Sequence, residues 1–153
     1  MAPEGGGGGA ASGRSPEAAP GTVEIPAPTL RRVSRICLGL PEVSVRVDPS
    51  LHPARSTAHS FDVRRRSFCL LVAWLGRAGD PVPLLLLRAD PQERRALLSG
   101  GGPYFAGRGG PDRIGVRLSE GSDWEEIREL VTESYLRVAP GKLRALLDRP
   151  GTS

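Results

Sequence analysis

The sequence predicts an α+β fold in which an antiparallel β-sheet is packed by helices on one side. Three observations lead to this prediction. Apolar and polar residues alternate in several short segments between residues 43 and 118, which is the period of a β-strand. Short turns join consecutive segments, so that neighbours pair as hairpins. Segments with apolar residues at three- and four-residue steps, typical of helices, come before, between and after these strands.

The first two elements lie between residues 29 and 48. Thr29 is a candidate N-cap for a helix, and Pro41 closes the segment. The helix carries one apolar stripe, made of Leu30, Val33, Ile36, Cys37 and Leu40. A half-buried strand follows, in which Val43, Val45 and Val47 alternate with polar residues.

Two hairpins are predicted between residues 61 and 87. Phe61 and Val63 alternate with polar residues, and a turn at Arg64 to Arg66 leads into a strand that ends at Leu75. That strand is apolar on both faces, which is typical of a central position in a sheet. After the turn GRAGDPV, residues 84–87 form another apolar strand, so the segment predicts an antiparallel meander.

The last third predicts three helices and one more strand. Asp90-Pro91-Gln92-Glu93 has the pattern of a capped helix start. The loop PYFAGRGGPDR then leads to a strand with Ile114, Val116 and Leu118 on one face. Ser122 or Asp123 caps the next helix, whose stripe comprises Trp124, Ile127, Leu130, Val131, Tyr135 and Val138, and a final helix has Leu143, Leu146 and Leu147 on one side.

Composition divides the chain into a domain and two tails. Residues 1–28 are rich in Gly, Ala and Pro and predict a disordered tail, residues 29–149 the folded domain, and residues 150–153 a disordered C-terminus. We find no secretory signal pattern and no apolar run long enough for a bilayer, so we expect a cytoplasmic protein with no membrane partner. Cys37 and Cys69 lie in apolar segments and are interpreted as buried free thiols.

Charge is distributed unevenly along the chain. Residues 29–117 contain 15 arginines and 7 acidic residues, whereas residues 118–148 contain 4 basic and 7 acidic residues. Arginine supplies 20 of the 21 basic side chains, which partly reflects a GC-rich coding bias. The pattern predicts a fold with one cationic and one anionic end.

Three stretches resemble the MmcQ/YjbR family of small bacterial proteins. They are FDVRRRSF, LLLRADPQERRALL and IGVRLSEGSDWEEIRELVTESYLRVAPGKLRALL, and the TESY and AP-x-K-L elements of the last are the most specific. The resemblance covers residues 30–147. The chain departs from the family pattern at Ile114, where Trp is common, and at Arg65, where the family has glycine in the hairpin turn.

This resemblance implies a frataxin-like (CyaY-like) fold and DNA binding in a double-wing arrangement, in which β-hairpins project toward nucleic acid. It therefore implies a weak, sequence-tolerant contact with the phosphate backbone of DNA. The predicted nucleic-acid-binding residues are arginines of the hairpin and of the glycine-rich loop and the strand after it: Arg64, Arg65, Arg66, Arg108, Arg113 and Arg117.

Other functions stay open from the sequence. No catalytic motif accompanies His52 or His59, so we expect no enzymatic activity and no cofactor. One alternative is a protein-interaction or small-ligand-binding domain without a nucleic-acid role. Another follows from the frataxin likeness and assigns a metal to Glu125, Glu129 and Glu133, although an ordinary solvated helix face explains these acids better and we predict no metal site. We expect a monomer or weak dimer.

Overall fold

A computed structural model describes residues 23–49, 56–107 and 109–147 of the chain. Its helices are α1 (Ala27–Leu38), α2 (Pro91–Gly100), α3 (Trp124–Val138) and α4 (Gly141–Leu147). Its strands are β1 (Val43–Asp48), β2 (Ala58–Val63), β3 (Arg66–Leu75), β4 (Pro81–Arg88), β5 (Tyr104–Phe105) and β6 (Arg113–Arg117). The predicted α+β fold is confirmed.

The six strands form one sheet in the order β1-β2-β3-β4-β6-β5, and every neighbouring pair is antiparallel. The main core lies between this sheet and the helices. Cys69, Leu71 and Leu85 are fully buried on the helical side and pack with Val33 of α1 and Val131 of α3. The opposite face of the sheet is more open, and Trp74 is 38% exposed there.

The first helix begins earlier than the sequence predicted. Pro26 is the N-cap, so the predicted cap at Thr29 is wrong, and the predicted start of the domain lies inside the first turn of α1. Pro28 sits in that first turn, where a missing N–H costs no intrahelical hydrogen bond. Residues 1–22 and 148–153, which include most of both predicted tails, lie outside the described residues.

The caps of the two later helices are as predicted. The Asp90 side chain accepts hydrogen bonds from the backbone N–H groups of Gln92 and Glu93, and Pro91 occupies the first turn of α2. Asp123 caps α3 by accepting from the Glu126 N–H. Both caps are local, because the acceptor and the N–H groups lie within three residues of each other.

Strand β5 was missed because it is only two residues long. Tyr104 and Phe105 pair with Val116 and Gly115 of β6, within the segment predicted as a loop. The absence of a side chain at Gly115 allows the close approach, because a Cβ there would lie 2.3 Å from the Phe105 ring. The ring thus occupies the space above the strand.

A bulge in the hairpin formed by β2 and β3 connects the sheet to α3. Phe61 pairs with Cys69 and Asp62 with Ser67, so Phe68 is the extra residue of β3. Its backbone carbonyl accepts a hydrogen bond from the Ser134 hydroxyl. The Phe68 ring meets Tyr135 edge-on at 5.4 Å between centroids.

Cys37 and Cys69 are buried and free, as predicted. Burial, and then a hydrogen bond with Cys37, raises the pKa of the Cys69 thiol well above its usual range. In the described part of the chain no helix has the length and apolar character needed to cross a bilayer.

Candidate nucleic-acid interface

The predicted hairpin turn between β2 and β3 is present. Arg64 and Arg65 occupy the two central positions, with φ values of 50° and 69°, and Val63 pairs with Arg66 on either side of them. Positive φ at both central residues is the geometry of a type I′ turn, which matches the twist of the strands but normally uses Asn or Gly. All three arginines are exposed at this end of the sheet.

Arg64 already has a carboxylate partner. Its Nε lies 2.7 Å from Glu42 Oε1, and its terminal Nη2 lies 3.3 Å from Oε2. The hydrogen bond from Arg64 lowers the pKa of Glu42, and the same contact raises the pKa of Arg64. The pair therefore stays ionised at neutral pH, and much of the Arg64 charge is compensated before any ligand arrives.

Arg66 and Arg113 are brought toward a third arginine, Arg88. These residues stand at the start of β3, the start of β6 and the end of β4, which are neighbouring strands, and Arg88 pairs directly with Arg113. We call Arg66, Arg88 and Arg113 the strand-end cluster. Because the strands are antiparallel, these three termini meet at the end of the sheet that carries the hairpin turn.

Arg88 is the most constrained member of the strand-end cluster. Its side chain is 24% exposed and lies 3.6 Å from Asp112, and its Nε donates to the Ser67 carbonyl at 3.0 Å. Burial lowers the pKa of Arg88, and so do the charges of Arg113 and Arg66, while Asp112 opposes them. The positive charges of Arg66, Arg88 and Arg113 are thus close enough to repel one another.

Two further arginines border the strand-end cluster. Arg94 of α2 donates from Nε to the Arg113 carbonyl at 2.6 Å, which ties the start of β6 to the helix. Arg137, in the last turn of α3, also lowers the pKa of Arg88 through its charge.

The remaining predicted residues do not join this cluster. Arg117 lies at the other end of β6, and its guanidinium is 5.3 Å from the centroid of the Phe105 ring. At about 3.4 Å per residue, the four residue steps along the strand separate it from Arg113 by roughly 14 Å. Arg108 lies outside the described residues.

Arg88 is the member of the strand-end cluster that the sequence analysis did not predict. A signal existed, because Arg88 is the one charged residue at the end of the apolar run LLLLR, just before the Asp90 cap. The sequence does not show which strands are neighbours, however. Only the order β3-β4-β6 places Arg66 and Arg113 on either side of it.

The acidic face of α3 and the two histidines were the candidates for metal binding and catalysis. Among the described residues, no group of three or more His, Cys, Asp or Glu side chains is placed to hold a metal ion. Glu133 interacts with Glu93 of α2, and burial, followed by the charge of and a hydrogen bond with Glu133, raises the pKa of Glu93. His59 has a buried Nδ1 without a hydrogen-bond partner, and burial lowers its pKa. His52 lies outside the described residues.

These features define a class of protein: a small α+β domain with a helical layer on an antiparallel sheet and a basic hairpin at one sheet end. The family model for YjbR matches residues 38–137, and the chain therefore belongs to the YjbR family. No curated protein matches the chain.

One similar solved structure is the crystal structure of Deinococcus radiodurans protein DR2400, described by the family-model domain DUF419. It has a TM-score of 0.55 and 19% sequence identity, and the match covers 81% of this chain and 94% of that one. At this identity the likeness establishes the fold. The predicted family membership is confirmed by the family-model match, and the predicted fold by the structural likeness.

Proposed function

We propose that this protein is a non-enzymatic DNA-binding protein that contacts the phosphate backbone through Arg65, Arg66 and Arg113, with Arg88 between the strand ends. The observation that supports the proposal is the convergence of Arg66 and Arg113 on Arg88 at the end of the sheet that carries the hairpin. A bacterial cytoplasm is the setting predicted from the sequence, with the protein acting as a monomer or weak dimer.

The electrostatics of the strand-end cluster favour an anionic partner. Neighbouring guanidinium groups repel one another, and Asp112, at 3.6 Å, is the carboxylate paired with Arg88 in the described structure. A phosphate between these groups would replace repulsion with charge-assisted hydrogen bonds, which guanidinium forms bidentately. Arg65 extends the same charge to the exposed tip of the turn.

This interface should bind weakly and with little sequence preference. The proposal involves strand ends and a hairpin turn, without a helix that reads base edges in a groove. Contacts with phosphate position a protein on DNA and carry no sequence information directly. Affinity should therefore depend strongly on salt and little on base sequence.

Fluorescence anisotropy with a labelled duplex, titrated at several salt concentrations, tests the proposal. Three arginine–phosphate contacts predict a slope of log K against log salt of about −3, since each contact contributes about 0.9. The magnitude of this slope is smaller than the one expected if every predicted arginine contacted a phosphate. The reason is that Arg64 is paired with Glu42 and Arg117 lies at the other end of the sheet.

A pair of matched variants makes the test specific to one end of the sheet. Arg66→Ala/Arg113→Ala should lose most of the affinity and reduce the slope by about 1.8. Arg77→Ala/Arg117→Ala removes the same charge from the opposite end, in the turn after β3 and at the end of β6, and should bind nearly as the wild type does. Equal losses in the two variants would show that net charge, and not this interface, drives binding.

A further inference from the structure

A second group of arginines lies on the helical side of the molecule. Arg31 and Arg35 stand four residues apart on α1, and Arg128 lies on α3. Together with Arg32 they line a groove of about 290 Å³ between the two helices, in which Glu125 is the one carboxylate among the lining residues. We call it the helical groove.

The charges of the helical groove are largely uncompensated. The described structure shows no ion pair for Arg31, Arg35 or Arg128. Like charges four residues apart destabilise a helix, so the arrangement of Arg31 and Arg35 is unfavourable in the absence of an anion. An anion bound in the groove would turn the contribution of Arg31 and Arg35 to the stability of the helix from unfavourable to favourable.

A larger and mainly apolar cavity continues from the helical groove. Its volume is about 770 Å³, within the range of small-molecule sites, and it shares Pro28, Arg32 and Trp124 with the groove. Pro26, Pro81, Pro83, Val82 and Leu118 supply most of its apolar lining. We call it the proline cavity.

Trp124 and Arg32 form the boundary between the two spaces. The Arg32 guanidinium lies over the Trp124 ring, 4.8 Å from its centroid. A planar guanidinium held over an aromatic ring can itself stack against a further flat group. This boundary therefore suits a flat apolar body better than a flexible aliphatic chain.

The charge balance of the two spaces indicates the shape of a ligand. The helical groove is lined by four arginines and one glutamate. The proline cavity has two arginines, Arg32 and Arg117, against two acids, Asp80 and Glu120. A continuous polyanion would meet these acids, whereas a ligand with its negative charge at one end and an apolar body at the other would match both spaces.

We propose that the helical groove and the proline cavity together bind a small aromatic phosphate ester. The phosphate lies among Arg31, Arg35 and Arg128, where bidentate contacts are available. The flat body lies against Arg32, Trp124 and the proline lining. This site is separate from the strand-end cluster and does not depend on DNA binding.

The test uses the full chain and three probes in calorimetric titrations: 1-naphthyl phosphate, inorganic phosphate and 1-naphthol. If both spaces are used, 1-naphthyl phosphate should bind at least about tenfold more tightly than either of the other two. Equal affinity for inorganic phosphate would overturn the composite site, and so would the absence of binding by the ester.

Two variants of equal charge locate the site. Arg31→Ala/Arg35→Ala/Arg128→Ala should weaken binding of the ester by at least about tenfold, whereas Arg65→Ala/Arg66→Ala/Arg113→Ala should leave it unchanged. All three helical arginines are exposed, so circular dichroism should show an intact fold. Ester affinity that is the same in the first variant as in the wild type would refute the proposal.

Competition distinguishes a small ligand from nucleic acid. A single-stranded oligonucleotide should fail to displace the bound ester from the wild-type protein. The comparison is made at concentrations at which added ester exchanges with the bound ester. Displacement by the oligonucleotide at lower concentration would make the groove a nucleic-acid surface and would refute the small-molecule site. DNA binding by the strand-end cluster is measured separately, so failure of either proposal is visible on its own.

Discussion

At the scale of single residues, backbone conformation and charge have separate effects in the hairpin turn. Arg64 and Arg65 both adopt positive φ, and so does Glu42, the partner of Arg64. Positive φ is unfavourable for residues with a Cβ, by about 1–2 kcal/mol. Arginine at these two positions therefore costs the fold stability that glycine would not.

Replacing Arg65 with glycine separates the two effects. Arg65→Gly should raise the free energy of unfolding by about 1 kcal/mol, because glycine adopts a φ of 69° without the Cβ penalty. The same change should weaken DNA binding. Arg65→Ala is the control, since it removes the charge and keeps the strain; equal stability of the two variants in urea titrations would contradict the strain argument.

At the scale of secondary-structure elements, Ser134 joins α3 to the two central strands. It is fully buried; its hydroxyl donates to the Phe68 carbonyl at the bulge and accepts from the Arg88 N–H at 2.9 Å. The β3–β4 ladder ends at the pair of Cys69 with Leu87, so neither Phe68 nor Arg88 has a partner within that ladder. One hydroxyl therefore satisfies both strand ends and fixes the backbone of Arg88.

Ser134→Ala should lower the free energy of unfolding by about 1–3 kcal/mol, because the carbonyl and the N–H would lose their partner away from water. DNA affinity should fall as well, since the Arg88 backbone would lose its anchor. Thr132→Ala, on the same helix but bonded only to the Arg128 carbonyl, should change stability by less than about 0.5 kcal/mol. Similar losses in both variants would mean that the helix, and not this contact, is responsible.

The contact between α2 and α3 gives a pH dependence. The raised pKa of Glu93 means that the folded state holds its proton more tightly than the unfolded state does. The associated stability is present at pH values below the unfolded pKa and is lost as pH rises through the folded pKa. Glu93→Gln should therefore raise the melting temperature at pH 7 and change it little near pH 4.

Exposed Glu129 on α3 provides the comparison for this pH effect. The matched variant Glu129→Gln removes the same charge from α3 at a position where the described structure shows no contact with another carboxylate. A melting-temperature change with the same pH dependence in both variants would contradict a specific role of the Glu93–Glu133 contact. A Glu93→Gln effect that does not depend on pH would exclude the shared proton as its cause.

At the scale of the whole molecule, the net charge of +4 is less informative than its distribution. One end of the sheet carries Arg65, Arg66 and Arg113, and the groove between α1 and α3 carries another set of arginines. Carboxylates compensate particular arginines: Glu42 pairs with Arg64, and Asp48 and Asp62 pair with Arg46. The arginines without a paired carboxylate are therefore the ones available to bind an anion.

Removing one carboxylate should extend the proposed interface. Glu42→Gln frees Arg64 at the hairpin, so DNA affinity at low salt should rise and the salt slope should steepen by up to about 0.9. Glu120→Gln makes the same change in net charge near Arg117 and should leave the slope unchanged. If Glu120→Gln had the same effect, the long-range field of the molecule would be sufficient to explain it.

Local patterns in the sequence were enough to predict the fold class, most elements and the caps of α2 and α3. These features depend on local periodicity and on hydrogen bonds within a few residues, as at Asp90 and Asp123. They can therefore be predicted from the order of the residues. Family membership was also predictable from resemblances such as the TESY element, which lies within the residues that the family model matches. The start of α1 and the two-residue β5 were missed, because proline can cap a helix and a short edge pairing has no period.

Which arginines lie close together depends on the order of the strands in the sheet and is not visible in the sequence. Arg66, Arg88 and Arg113 are distant along the chain, and the strand order brings them to one end of the sheet. The same packing compensates Arg64 and separates Arg117 from the group. Electrostatic interaction falls with distance in space and not along the sequence, so the location of a charged site follows from the fold.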